Sequence, residues 1–102
     1  MYARVTTWKF DTSPARVEEI ISRYRDAVLP AARQLEGFRG FFSLVDEEGG
    51  QALTLTLWES EEAERASEQA ANRIRKGTVE ATGIAMTSAQ RYRVEVHELT
   101  QK

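Results

Sequence analysis

The stretch from Leu53 to Ala63 passes from a strand pattern directly into a helix start, without a loop between them. Leucines at every second position alternate with Thr54, Thr56 and Trp58, which predicts a strand with one apolar and one semi-polar face. Ser60 then fits a helix N-cap, because its hydroxyl can accept a hydrogen bond from an unpaired backbone N–H, and two glutamates follow where the helix dipole favours negative charge. The junction constrains the fold far more than it constrains the chemistry.

Length and composition limit the chain to one globular domain, residues 1–102. With 102 residues, 41% hydrophobic and 29% charged, it is long enough for one core and too short for separate catalytic and substrate lobes. A formal net charge of −2 gives no basic surface for nucleic acid or membrane. The absence of cysteine excludes disulfides, thiolate nucleophiles and cysteine metal sites. No signal peptide is recognisable, so a cytoplasmic location is expected.

Hydrophobic spacing and turn residues predict the element order β-α-β-β-α-β. Ser13 is the predicted N-cap of the first helix and Pro14 its first residue. Gly83–Met86 is predicted to be a loop. The predicted elements are a strand over 2–10, a helix from Pro14 with a kink or restart at Pro30 through Ala31, Ala32 and Leu35 and an end at Gly37, a hairpin of strands Phe38–Val45 and Ala52–Trp58, a helix from Ser60 to at least Ile74, and a strand over Gln90–Leu99.

This order is the ferredoxin-like arrangement, an α+β fold with both helices on one face of a four-stranded antiparallel sheet. One stripe of the first helix is expected to face the core: Val17, Ile20, Ile21, Tyr24 and Val28. The inner positions expected for the second helix are Ala63, Ala66, Ala70 and Ile74. The other sheet face, expected to carry Ala3, Val5, Thr54, Thr56 and part of Phe41–Val45, is too apolar to stay in water. A second subunit is its simplest cover.

Two motifs resemble the antibiotic-biosynthesis-monooxygenase-like (ABM) domains of the dimeric α+β barrel superfamily. One is Glu36-Gly37-Phe38-Arg39-Gly40-Phe41, and the other is Leu57-Trp58-Glu59-Ser60-Glu61-Glu62-Ala63. With the element order, the resemblance covers nearly the whole chain. It implies a homodimer whose sheets face each other, with a small-molecule cleft between sheet and helices in each subunit. Because this scaffold hosts oxygenases, haem-degrading enzymes, isomerases and cyclases, it implies much less about the reaction.

The chain departs from the haem-degrading branch of that superfamily. That branch uses a histidine and a tryptophan in the second helix and an asparagine on the first strand. Here Thr6 or Thr7 lies near the asparagine position and Ala66 and Ser67 near the tryptophan position, and the helix contains no histidine. We therefore expect neither haem nor another cofactor, and no metal.

Three residues are the candidates for chemistry: Trp58, Tyr24 and Asn72. Trp58 and Tyr24 offer shape and hydrogen-bond donation, and Asn72, among small residues of the second helix, offers stabilisation of an anion. Each also has a purely structural interpretation, because most tryptophans in small domains fill the core and the alanines around Asn72 fit a closed interface as well as an open cleft. His97, the only histidine, is expected on the surface or at the dimer interface.

The leading functional hypothesis is a homodimer that binds a small aromatic or polyketide-like molecule and oxidises this phenol or enol without a cofactor. Without metal or flavin, the substrate anion itself must reduce oxygen, and the protein supplies a dry cleft, a base and donors to the oxyanion. The alternatives are a non-enzymatic dimeric binding or accessory protein and an isomerase or cyclase on the same scaffold.

Overall fold

The computed structural model describes residues 1–10 and 14–100, and the side chains of residues 14–16 are not considered. The predicted N-cap Ser13 lies outside the described residues. The elements are β1 Tyr2–Lys9, α1 Pro14–Arg23, a π-helical segment Tyr24–Val28, α2 Leu29–Arg33, β2 Phe38–Asp46, β3 Gln51–Trp58, α3 Glu61–Ala66, α4 Glu68–Thr82 and β4 Ala85–Arg93. No helix in this part of the chain is long and apolar enough to cross a membrane.

The four strands form one antiparallel sheet in the order β2-β3-β1-β4, with the helices on one face. The predicted ferredoxin-like α+β fold is therefore confirmed. Paired residues share a sheet face, so the register defines rows across the sheet. One row runs through Phe41, Thr56, Arg4 and Arg91. Arg4 and Arg91 of this row belong to the ion-pair cluster described below.

The two motifs of the sequence meet in a single structural junction. Ser60 caps α3 as predicted, accepting a hydrogen bond from the backbone N–H of Ala63 at 3.1 Å. Gly37 has φ +80, and a Cβ added there would lie 2.5 Å from the Cβ of Ala63, so only glycine fits. The Phe38 ring packs edge-on against Trp58, with centroids 5.7 Å apart. The junction thus fixes the end of β3 against α3 and the start of β2.

The first helix restarts before Pro30, as predicted. The chain widens into the π-helical segment, where the backbone N–H of Leu29 bonds to the carbonyl of Tyr24, and α2 then begins at Leu29 with Pro30 in its first turn. Proline has no N–H for the regular α-helical ladder, so it is tolerated only near such a restart. The helix ends at Arg33, so Leu35 lies beyond it. The π-helical segment places Tyr24 and Val28 in the core.

The core lies between the helices and the sheet. Its buried cluster consists of Trp8, Ile20, Tyr24, Val28, Ala52 and Ile84. Val17 is buried as well, so the predicted stripe of the first helix is confirmed except for Ile21, which is 38% exposed.

The last strand was predicted several residues too late. β4 begins at Ala85 and ends at Arg93, so half of the predicted Gly83–Met86 loop belongs to the strand. The cause is tertiary pairing, because β1 offers partners from Lys9, opposite Ala85, to Tyr2, opposite Arg93. Beyond Arg93, the backbone N–H of Val94 still donates to the Met1 carbonyl at 2.9 Å.

The two faces of β3 are reversed relative to the prediction for the uncovered side. Thr54, Thr56 and Trp58 face the helices, whereas the leucines of β3 face outward. The outer surface, here called the leucine face, consists of Ala3, Val5, Phe42, Leu44, Leu53, Leu55 and Leu57. Leu44 is 51% exposed and Leu53 37%. The predicted uncovered apolar face thus exists, but its apolar side chains are leucines, and the threonines lie inside.

The inner face of the second helix is also different from the one predicted, except at Ile74, which packs against the core as expected. The helix is interrupted at Ser67, and the buried residues are Glu64, Ser67, Ala71, Thr78 and Thr82, whereas Ala66 is exposed. The alanine pattern misplaced this face because the positions that point inward are mostly polar. Glu64 and Ser67 are bonded to Arg4 of β1, whereas the hydroxyls of Thr78 and Thr82 donate to backbone carbonyls of α4.

Candidate functional site

A cavity of about 50 Å³ lies between the helix-facing side of the sheet and the helices. We call it the inner cavity. Its presence shows that the helices and the sheet leave a small gap between them. Both tryptophans of the chain line it. The other lining residues are Arg4, Thr6, Tyr24, Val28, Ala32, Leu35, Phe41, Thr54, Thr56, Ala71, Ile74, Arg75 and Thr78. Aromatic walls with a few polar groups are typical of small-molecule sites.

A chain of hydrogen bonds crosses the wall of the inner cavity. The indole N–H of Trp8 donates to Thr54 Oγ1 at 3.0 Å, and Thr54 donates to the Tyr24 hydroxyl oxygen at 2.8 Å. In this arrangement Thr54 accepts from the indole and gives its own hydrogen to Tyr24. The hydrogen of the Tyr24 hydroxyl is left over at the end. Tyr24 is therefore a donor available to a ligand oxygen in the cavity.

The environment of Tyr24 keeps its hydroxyl protonated at neutral pH. Burial of the ring raises the pKa of Tyr24 to about 12, against a smaller opposing effect of its hydrogen bonds with Thr54 and Trp8. A phenol with this pKa donates a hydrogen bond and is a poor proton acceptor at pH 7.

Trp58 lies where the sequence predicted, at the strand end and in the cavity wall, and it is 1% exposed. Its indole N–H donates to Thr56 Oγ1 at 2.9 Å, so this donor is already used. The centre of the Arg4 guanidinium lies 5.4 Å from the ring centroid, in cation–π contact. Trp58 thus offers a flat apolar surface and orients Arg4.

Arg4 anchors an ion-pair cluster at one end of the inner cavity. Its Nη2 donates to Glu64 Oε2 at 2.7 Å, to the Glu64 carbonyl at 2.9 Å, to Ser67 Oγ at 2.7 Å and to Glu68 Oε2 at 3.0 Å. Arg91 also pairs with Glu64. Burial lowers the pKa of Arg4, and the charge of Glu68 opposes this shift. Glu64 is only 1% exposed, although it belongs to an acid-rich helix segment.

Asn72 does not reach the inner cavity. It lies on the exposed side of α4, where its Oδ1 accepts a hydrogen bond from Arg75. Helical periodicity explains this placement, because Ala71, Arg75 and Thr78 share the inward face and Asn72 is rotated away from it. Arg75 lines the cavity in its place and pairs with Glu68 at 3.4 Å. The polar group that α4 offers to a ligand is therefore the Arg75 guanidinium.

A wider depression, the outer groove, adjoins the inner cavity. It has a volume of about 400 Å³ and is lined by Ile21, Tyr24, Arg25, Leu29, Phe41, Ser43 and Val45. Tyr24 and Phe41 belong to both sites, and their ring centroids lie 5.8 Å apart. This aromatic pair separates the buried inner cavity from the groove at the surface.

The sequence did not reveal Arg4, Thr54 or Arg75 as site residues. Arg4 was masked by its position in an ordinary strand pattern. The feature that could have revealed Arg4 is a charged residue at a strand position that faces the helices, together with acidic residues on the second helix that could pair with it. His97 lies on the exposed surface after β4, as expected.

Two proteins of Mycobacterium tuberculosis, both described as uncharacterised, are similar in sequence. Rv2558 is 39% identical over 67 residues, which is 66% of this chain and 28% of that protein. Rv2557 is 32% identical over 83 residues, which is 81% of this chain and 36% of that protein. The chain thus spans only about a third of the length of these relatives. No protein-family model matches the chain.

Solved structures show the fold. A monooxygenase from the gene ActVA-Orf6 of Streptomyces coelicolor, with the ligand nanaomycin D, has a TM-score of 0.73 and 19% identity, covering 98% of this chain and 92% of that one. A mutant of SnoaB, a cofactor-independent oxygenase from Streptomyces nogalater, has a TM-score of 0.67 and 11% identity over 94% of both chains. A dimeric ferredoxin-like protein from an uncultured marine organism has a TM-score of 0.71 and 11% identity, covering 97% and 98%.

These neighbours confirm the resemblance to ABM-like domains at the level of the fold. The chain has an ABM-like, ferredoxin-like α+β fold, built around an aromatic cavity between sheet and helices.

Proposed function

We propose that the protein binds a small aromatic molecule and oxidises it, as a phenol or enol, with molecular oxygen and without a cofactor. The observation that carries the proposal is the inner cavity, whose aromatic walls enclose the unused O–H donor of Tyr24. The oxygenases with the same fold support it. Because the inner cavity holds only about 50 Å³, the ligand's oxygen-bearing edge would occupy it and the remaining ring would lie in the outer groove, past Phe41.

The proposed reaction places one oxygen atom on the substrate and converts the other to water. A phenol that has a ring C–H para to its hydroxyl group loses the hydroxyl proton. The resulting anion reduces oxygen by one electron. The radical pair then forms a C–O bond, and loss of water gives a quinone. For 1-naphthol, C10H8O and O2 give C10H6O2 and H2O. The Tyr24 hydroxyl would donate to the substrate oxygen, and Trp58 would support the ring.

Oxygen uptake tests this function. Purified protein is incubated with 1-naphthol in an oxygen electrode, and the quinone product is quantified. We expect uptake that depends on protein concentration and falls about 100-fold in Tyr24→Phe, a range typical of removing one donor to a developing oxyanion. Tyr92→Phe is the matched control, because Tyr92 is half exposed on the opposite sheet face and should retain activity. Uptake that is equal in both variants would refute the role of Tyr24.

A second outcome would favour the non-enzymatic alternative. If 1-naphthol binds saturably but no oxygen is consumed and no product forms, the protein is a binding or accessory protein with this cavity. Conversion of a ligand to an isomer without oxygen uptake would instead assign it to the isomerases or cyclases.

We also propose that two copies of the chain pair through the leucine face. Its apolar side chains are uncovered in the single chain, and a structural neighbour is described as dimeric. Leu55→Asp places a charge at the centre of this face, between Val5 and Phe42. Light scattering should give a dimer for the wild type and a monomer for this variant, whereas His97→Asp on the exposed tail should stay dimeric. A monomeric wild type would refute the pairing.

A further inference from the structure

The charges around the inner cavity do not balance. The cluster that begins at Arg4 contains three guanidinium groups, from Arg4, Arg75 and Arg91, and two carboxylates, from Glu64 and Glu68. One positive charge therefore has no carboxylate partner within the cluster. Arg4 itself contacts both carboxylates, and the Arg75 side chain is only 11% exposed, so water screens the positive charge beside the cavity poorly.

In the ranges that the structure describes, two arginines that line the cavity each carry an unpartnered Nε, which neighbouring atoms cover. The Nε atoms of Arg4 and Arg75 are buried and have no hydrogen-bond partner among residues 1–10 and 14–100. All hydrogen bonds of Arg4 described above come from Nη2, which leaves Nε without an acceptor. Buried donors normally find an acceptor, and guanidinium groups favour planar oxyanions. The Nε of Arg23 is also unpartnered, but Arg23 does not line the cavity.

The sites on either side of Arg4 differ in charge. A polar cleft of about 110 Å³ beyond Arg4 is lined by both Glu64 and Glu68 as well as by Arg91. Among the described residues, the inner cavity is lined by Arg4 and Arg75 and by no carboxylate side chain. An anion is therefore favoured in the inner cavity and opposed by the two glutamates in the polar cleft.

We infer that the ligand of the inner cavity carries an acidic oxygen, a carboxylate or an already ionised enol or phenol, which binds the guanidinium groups of Arg4 and Arg75. The inference rests on the proposed small-molecule function and narrows its substrate class. It also bears on how the substrate of the proposed reaction becomes ionised. Within the part of the chain that the structure describes, no histidine or carboxylate lines the inner cavity, and Tyr24 stays protonated, so these residues offer no strong base. An enol or phenol that binds as its anion does not require one, whereas a carboxylate would anchor the ring without replacing the deprotonation of the phenol or enol.

The spacing of the strands indicates how long a ligand must be to reach from the outer groove to Arg4. Phe41, Thr56 and Arg4 form one row across β2, β3 and β1. Neighbouring strands lie about 4.8 Å apart, so the row spans roughly 10 Å from the outer groove to the cation. A fused two-ring aromatic acid has this length. Its carboxylate would face Arg4 and Arg75 and its distal ring would displace the Phe41 side chain toward the groove.

The test compares 2-naphthoate with its neutral analogue 2-naphthamide by isothermal titration calorimetry at pH 7. Wild-type protein should bind the carboxylate about tenfold or more tightly than the amide, because hydrogen bonds to charged groups are stronger. Arg75→Gln should reduce this preference to less than about threefold. Arg65→Gln removes an exposed arginine that pairs with Glu61, so it should leave the preference unchanged. Circular dichroism verifies that each variant is folded.

The outcomes separate the inference from the proposed function. If amide and carboxylate bind equally well to the wild type, the acidic-ligand inference is wrong and the small-molecule function stands. A wild-type preference that persists in Arg75→Gln refutes the role of Arg75. If neither compound binds at millimolar concentration, both the inference and the proposed two-ring ligand are refuted.

Discussion

Removal of Arg4 should destabilise the domain far more than removal of an exposed arginine. In Arg4→Met, Glu64 stays 1% exposed but loses the charge-assisted hydrogen bond at 2.7 Å and keeps only Arg91 as an ionic partner. Ser67 and Glu68 lose their bonds to Nη2 as well. Breaking a buried pair from one side costs about 3–5 kcal/mol. Domains of this size have a free energy of unfolding of about 5–15 kcal/mol, so the loss is a large fraction of the total.

Urea denaturation followed by circular dichroism at 222 nm measures this loss as a change in the free energy of unfolding. Arg65→Met is the matched control, because Arg65 pairs with Glu61 at 2.8 Å on the surface, and its removal should change stability little. The double variant Arg4→Met/Glu64→Met tests the mechanism. It removes both charges, so it should recover most of the loss seen in Arg4→Met.

Two results would refute this reasoning. If Arg4→Met and Arg65→Met have the same stability, Glu64 does not depend on Arg4 in the folded protein. If the double variant is less stable than Arg4→Met, the loss comes from packing around the methylene groups of Arg4 and not from an unpaired carboxylate.

Two other predictions concern stability. Because burial raises the pKa of Tyr24 from 10.0 to about 12, its contribution is complete below pH 10 and is lost as the pH rises to 12. The free energy of unfolding should fall by up to about 3 kcal/mol more in wild type than in Tyr24→Phe over this range, and parallel curves would contradict the assignment. Gly37→Ala should cost more than about 1 kcal/mol, because φ is +80 and its Cβ would meet Ala63 at 2.5 Å. Gly77→Ala, in α4, meets only the flexible end of Arg23 and should be neutral or stabilising by up to about 1 kcal/mol; equal losses in the two variants would show that Gly37 is not sterically special.

The fold could be predicted because its signals are local. The alternation in β3, the Ser60 cap and the positive φ at Gly37 each follow from neighbouring residues, and together they specify the order of the elements. β4 was misplaced because Ala85–Ala89 has no strand pattern of its own and becomes a strand only through pairing with β1.

The candidate site was harder to predict because it depends on contacts distant in sequence. Trp58 and Tyr24 were found from their size and position, and both line the cavity. Arg4 and Arg75 were missed because hydrophobic periodicity assigns charged residues to the surface, whereas these arginines are held inside by Glu64 and Glu68. The buried face of α4 carries several polar residues, which is the reverse of the usual pattern. The prediction therefore assigned the wrong residues to most of that face. Whether these side chains perform chemistry stays a prediction.

Tryptophan fluorescence tests the central claim, binding of a small aromatic molecule in the inner cavity, most directly. Trp8 and Trp58 are the only tryptophans of the chain, and both line the cavity, so the whole signal comes from its walls. Titration with 1-naphthol, excited at 295 nm and corrected for its own absorbance and emission, should give a saturable change. Trp58→Phe should weaken binding and alter the amplitude. A fluorescence signal that changes only linearly with 1-naphthol up to millimolar concentration would contradict binding in the inner cavity.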